Sequence, residues 1–114
     1  VSIKTAIYAA LKDAGPAFPV VAPQGTAAPY LRYVGIGGSD DVTFDADGLG
    51  ATSGLVQVDA FALDYATAQR LLESARAALY ASPAVTIGDL TYLPDDYEGD
   101  TKLFKASFQV EAWE

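Results

Sequence analysis

Apolar and polar positions alternate with a period of two along some stretches of this chain and recur every three to four residues along others. The closing stretch is the clearest. Over residues 102–113, Phe104, Ala106, Phe108, Val110 and Ala112 make one apolar face, while Lys105, Ser107, Gln109 and Glu111 make a polar one. A strand with one buried face has this pattern, because successive side chains point to opposite sides of a sheet. Within residues 53–80 the period changes partway. Val56, Val58 and Ala60 alternate with Leu55, Gln57, Asp59 and Phe61, and then Tyr65, Ala68, Leu71, Leu72, Ala75, Ala78 and Leu79 recur at helical spacing. Asp64 precedes that helix as an N-cap, its carboxylate placed to accept from the first free backbone N–H groups. Thr67, Arg70, Glu73, Ser74 and Arg76 form the opposite, polar side, with Glu73 in reach of Arg70 or Arg76.

The remaining segments fit around this strand–helix unit. Ser2 caps an opening helix whose stripe is Ile3, Ala6, Ile7, Ala10, Leu11 and Ala14, and Gly15-Pro16 is its predicted stop. Residues 17–29 (AFPVVAPQGTAAP) predict an extended, unpaired strap over the surface, since Pro19, Pro23 and Pro29 withhold donors. Phe18, Val20 and Val21 are expected to be buried beneath it. Residues 30–36 read as a strand with Tyr30, Arg32, Val34 and Ile36 on one face and Leu31 and Tyr33 on the other. Residues 37–52 (GGSDDVTFDADGLGAT) read as a long glycine-rich loop, with Val42 and Phe44 in a short hairpin arm. Ser82-Pro83 ends the second helix, residues 85–93 read as a strand and residues 95–100 (DDYEGD) as a turn. The order α-β-β-α-β-β predicts an α+β domain over residues 1–114, an antiparallel sheet of about four strands with two helices packed on one face.

Composition narrows what such a domain does. At 114 residues, 51% apolar and 19% charged, the chain has a globular balance and enough length for a single core. No apolar run approaches the ~20 residues needed to span a bilayer, so a soluble, cytosolic protein is expected, with no membrane partner. With no Cys and no His, a Ser-His-Asp triad, a Cys-His pair and ordinary zinc sites are excluded. A net charge of −8 disfavours wrapping DNA, which requires Lys and Arg at the phosphates. Sequence-specific nucleic-acid binding is not expected.

Several local patterns resemble chemistry and fail on inspection. DADG at residues 45–48 matches the middle of a calcium loop, but Thr43 stands at the first ligand position and Gly54 at the bidentate one. The run GIGGSD at residues 35–40 lacks the Lys-Ser/Thr and the helix that a phosphate loop needs. Asp95, Asp96, Glu98 and Asp100 include enough carboxylates for glycoside hydrolysis, yet a polar turn lacks the cleft and the buried acid that the reaction requires. No catalytic residue, metal or cofactor is expected. Arg32 on an otherwise apolar strand face either pairs with Asp59 on the neighbouring strand or forms a salt bridge between subunits.

Three segments carry a resemblance: APQGTAAPYLRYVGIGG (residues 22–38), GLVQVDAFALDYATAQRLLESARAAL (54–79) and LFKASFQVEAWE (103–114). Together with the opening helix, they resemble the tail-completion proteins of long-tailed bacteriophages, also called tail terminators or tail-to-head joining proteins. The Pro-Tyr entry to the first strand, the VQVD strand leading into a Tyr-Ala-x-Ala helix and the aromatic ending follow in the family's order. The resemblance implies a non-enzymatic virion protein of the tail and neck, assembled in the host cytoplasm. It further implies a homo-oligomeric six-fold ring that caps the tail tube protein, ends its polymerisation and meets the head connector. Such a ring must let DNA pass, and a negative wall resists adhesion.

On that reading, Arg32, Asp40, Asp41, Val42, Phe44, Asp45, Asp47 and Trp113 are interface candidates, and Asp95, Asp96, Glu98 and Asp100 are channel-lining candidates. A head-closure or connector ring is the nearest alternative. A small-ligand-binding α+β module is the alternative from another class, and a carboxylate hydrolase comes last.

Overall fold

A computed structural model describes residues 3–40 and 52–113. The elements are α1 (Ile3–Leu11), β1 (Ala17–Pro19), β2 (Tyr30–Asp40), β3 (Thr52–Ala62), α2 (Tyr65–Ala81), β4 (Thr86–Glu98) and β5 (Leu103–Trp113). The strands form one sheet in the order β1-β2-β3-β5-β4. All pairings are antiparallel except that of β1 with β2. The expected sheet of about four antiparallel strands is thus corrected to a five-stranded mixed one.

The additional strand lies in the segment expected to be an unpaired strap. Ala17, Phe18 and Pro19 pair in parallel with Leu31, Arg32 and Tyr33. An edge strand needs donors on one side only, so Pro19 is tolerated there. Val20 and Val21, expected to be buried, are instead 63% and 69% exposed. The strand carries both beyond the sheet, where none of the described elements covers them.

Two other boundaries move for physical reasons. α1 stops at Leu11, a turn earlier than the Gly-Pro signal, because bonds from Ala14 N–H and Gly15 N–H both return to the Leu11 carbonyl and tighten the chain. β4 continues through Pro94 to Glu98, so Asp95, Asp96 and Glu98 belong to a strand and not to a turn. Pro94 is accommodated because β4 is the edge of the sheet and its register against β5 shifts between Leu93 and Asp96. β2 and β3 likewise extend to Asp40 and from Thr52, which removes both ends of the expected loop.

One face of the sheet carries the core. Leu31 and Tyr33 from β2, Val56, Val58, Ala60 and Ala62 from β3, and Ala106, Phe108, Val110 and Ala112 from β5 pack against both helices. α2 supplies Ala68, Leu72, Ala75 and Leu79, and α1 supplies Ala6, Ile7, Ala10 and Leu11. The helical stripe and the strand alternation thus meet in one apolar layer. Asp64 caps α2 as its position predicts, accepting from Thr67 N–H at 2.8 Å. Glu73 turns from its neighbours on the helix and accepts from the Tyr92 hydroxyl on β4 at 2.8 Å.

Candidate functional site

The helices leave the other face of the sheet open, and the register decides what it presents. Opposite residues in antiparallel strands point the same way, so Arg32, Asp59, Ser107 and Leu93 form one row across β2, β3, β5 and β4. Val34, Gln57, Gln109 and Thr91 form the next row. Asp59 is fully buried even though, among the described residues, no helix covers this face. Its carboxylate accepts from Arg32 Nε at 2.9 Å and Nη2 at 2.6 Å, from Gln57 Nε2 at 2.9 Å, and from the Ser107 hydroxyl. Four donors on two oxygens satisfy a charge that would otherwise be costly to bury. Of the two pairings open to Arg32 in the sequence, the one with Asp59 is present.

Arg32 also builds the neighbouring surface. Its guanidinium lies 5.0 Å from the centroid of Phe61. Tyr30 stacks on the same ring, with centroids 5.0 Å apart. Tyr30, Arg32 and Phe61 form the floor of a cleft of about 510 Å³, with the segment after β1 as one wall and Glu98 and Leu103 at the far side. Val21 and Leu63, 69% and 71% exposed, stand at its rim. Burial raises the pKa of Tyr30 above the ordinary tyrosine range, Glu98 adds to the rise, and Arg32 opposes it. The cleft was not anticipated. Leu63 sits between the strand and helix patterns and belongs to neither, so periodicity gave no reason to note it.

The four carboxylates expected to act together are separated. Asp95 accepts from the Tyr65 hydroxyl and from Gln69 Nε2, both on α2. Asp96 is opposite Lys105, and Glu98 is opposite Leu103, positions that alternate away from the core-facing Phe104 and Ala106. Glu98 accepts from Thr101 Oγ1 at 3.3 Å, and Asp100 lies in the turn between the strands. Asp95 therefore engages the helical layer, whereas Asp96 and Glu98 belong to the open face. Among the described residues no three acidic side chains gather closely enough to hold a metal ion.

Of the interface candidates, Arg32 is on the open face as described, and Asp40 ends β2. Asp41, Val42, Phe44, Asp45 and Asp47 lie outside the described residues, as does the DADG run. Trp113, at the end of β5, is half-buried because its ring crosses β4 at Gly88, where a side chain would find no room.

Comparison with curated proteins gives no match. Among solved structures, the chain is similar to one from the virion of a native gene transfer agent particle, with a TM-score of 0.62 and 14% identity. The alignment covers 98% of this chain and 93% of the other, so the likeness is of the whole fold. The sequence from residue 4 to residue 114 matches the family described as tail completion protein gp17. The match spans nearly the whole chain, helices and strands together, and the chain belongs to that family.

Proposed function

We propose that the protein forms a six-fold ring that caps the phage tail tube, ends its polymerisation and joins the tail to the head connector. The observation that carries this reading is the family match over residues 4–114. As a tail completion protein, the chain is a structural component of the virion tail. A tube grows because each ring offers a face that accepts the next, an open assembly without a natural end. A terminator matches the last ring on one face and differs on the other.

The structure supports a role in contact with other subunits. Val21 and Leu63, exposed at a cleft rim, are the kind of apolar surface that interfaces cover. Arg32, Asp40 and Trp113, with Asp41, Val42, Phe44, Asp45 and Asp47, are proposed as interface residues. Asp96, Glu98 and Asp100 are proposed for the channel; Asp95, bonded to α2, joins them only if the helical layer also reaches the opening. The cleft of about 510 Å³ is the observation that favours a small-ligand module instead. Its exposed hydrophobic rim fits a protein contact better.

Native mass and negative-stain imaging test the proposal, with the purified protein alone and mixed with tail tubes. Rings, either free or seated on tube ends, are the expected result. A strict monomer at every concentration that leaves tube ends bare would overturn it.

A further inference from the structure

The two edges of the sheet differ in kind. β1 covers β2 only at Leu31, Arg32 and Tyr33, although β2 runs on to Asp40. What ends β1 is a γ-turn: Val21 N–H donates to the Pro19 carbonyl at 2.6 Å around Val20, whose φ is +62°. A β-branched residue is strained at that angle. The turn directs the chain away from β2 and, among the described residues, leaves the backbone edge of residues 34–40 without a partner strand. Nothing on that edge discourages pairing before Asp40: it has no proline and no lysine, and Ile36 is 44% exposed. β4, the opposite edge, is guarded at both ends by register shifts, with Pro94, Asp95 and Asp96 at one of them.

Between its shifts β4 keeps one flat run, Leu90 to Leu93, paired in continuous register with Val110 to Ser107. β2 keeps a flat run of the same length after its own bulge, Gly37 to Asp40, in continuous register with Leu55 to Thr52. The two runs are complementary in bulk as well as length. Gly37 and Gly38 offer bare backbone, and Tyr92, 53% exposed, offers an aromatic ring of the kind that covers edge glycines well. Direction also agrees. β4 runs antiparallel to β2 within the sheet, so a neighbour rotated about an axis along the strands presents its β2 antiparallel to β4.

We propose that residues 37–40 of β2 pair edge to edge with Leu90 to Leu93 of β4 in an adjacent copy of this chain, so that the sheets of a ring join into one. This rests on the ring reading and specifies the contact that closes it. Each copy gives one edge and accepts the other, a heterologous contact that closes after a fixed rotation.

The chain has no cysteine, so paired cysteines report the contact against no background. Ser39→Cys or Ile36→Cys is combined in turn with Thr91→Cys and Leu93→Cys, and the protein is oxidised under conditions where native mass shows rings. At least one double variant is expected to lose its monomer band on a non-reducing gel in favour of a ladder ending at the ring, while every single variant stays monomeric. Dimers from a single variant would mean like edges pairing and would overturn the proposal. So would rings in which all four pairs stay uncrosslinked, or free rings in which amide exchange at residues 37–40 is as fast as in the monomer. Absence of any ring by native mass, alone or with tubes, would instead remove the ring reading itself.

Discussion

Trp113 on β5 lies directly over Gly88 on β4: a Cβ built on that glycine would stand 2.4 Å from two carbons of the indole ring. The contact falls in the first register shift of β4, between Ile87 and Leu90. The bulge and the missing side chain together make room for the ring.

Gly88→Ala should therefore displace the indole. Overpacking of this kind costs about 1–3 kcal/mol, partly offset by the ~0.4–1 kcal/mol that alanine removes from unfolded-chain freedom. Trp113 is the only tryptophan, so its emission reports the site alone. A red shift with lower resistance to urea is expected. An unchanged spectrum with raised stability would show that the ring does not need the bare backbone.

The buried carboxylate leads to a second prediction. Asp59→Ala leaves Arg32, Gln57 and Ser107 without their common acceptor and should cost about 3–5 kcal/mol in denaturant unfolding. Arg32→Met should cost still more. Gln57 and Ser107 both donate to Oδ1, so the fully buried Oδ2 loses every partner and its countercharge, whereas the Arg32 side chain left by Asp59→Ala is 26% exposed and can turn to water. Equal losses from the two substitutions would contradict this ordering.

Much of this was legible in the sequence. The alternation in β3 and β5 and the stripe of α2 identified the core faces, because burial on one side leaves a period that survives in composition. Arg32 stood out as a charge on a strand otherwise apolar, but its pairing with Asp59 was only one of two readings, because no local pattern tells a partner in the same sheet from one in another subunit. β1 was not, since three residues flanked by prolines are too few for a period. The continuation of β4 past Pro94 was hidden because proline and carboxylates signal a turn in isolation, and only an edge position admits them to a strand. The open-face cleft depends on residues from β2, β3, β4, β5 and three connections, whose proximity no local pattern encodes.

Alkaline titration should separate the tyrosines. Hydrogen bonding to Asp95 raises the pKa of Tyr65, with desolvation adding, and hydrogen bonding to Glu73 does the same for Tyr92. Burial raises Tyr33, with a smaller push from Tyr8. A phenol whose folded pKa is raised favours folding while it is neutral. That contribution is complete below the unfolded value of 10.0 and is lost as pH rises through the higher folded value. Ultraviolet difference titration should show a component ionising above that of free tyrosine, and Glu73→Gln should bring Tyr92 back toward it. A titration unchanged by Glu73→Gln would refute the assignment.

At the acid end, hydrogen bonds from the Thr67 side chain and backbone hold the Asp64 carboxyl below its ordinary 3.8. Its contribution is therefore present above that value and lost as pH falls through the lower folded one. Asp64→Ala should melt earlier than the parent at neutral pH, with the gap closing under strong acid. A gap in melting temperature that persists at the lowest pH would point to a cause other than the cap charge.

Charge reversal tests the channel. Asp96→Lys with Glu98→Lys should leave particles complete but slow DNA ejection at low salt, with the defect easing as salt screens the wall. Asp95→Lys, which strikes a residue bonded to α2, should instead show in thermal stability. Normal ejection at low salt from particles carrying both lysines would exclude Asp96 and Glu98 from the wall.

The seam between β3 and β5 has a meaning for how the chain finds its structure. β2 with β3 and β4 with β5 pair as sequence neighbours, whereas β3 and β5 meet across α2 and β4. Two locally formed halves must therefore align along one late junction, and a slip of one residue there would turn every side chain to the wrong face. Asp59 guards that step. Its oxygens find Arg32 and Gln57 within its own half, but Ser107 only when the halves meet in the correct register. A buried carboxylate here serves as an alignment mark, and Ser107→Ala should slow the joining of the halves more than it weakens either.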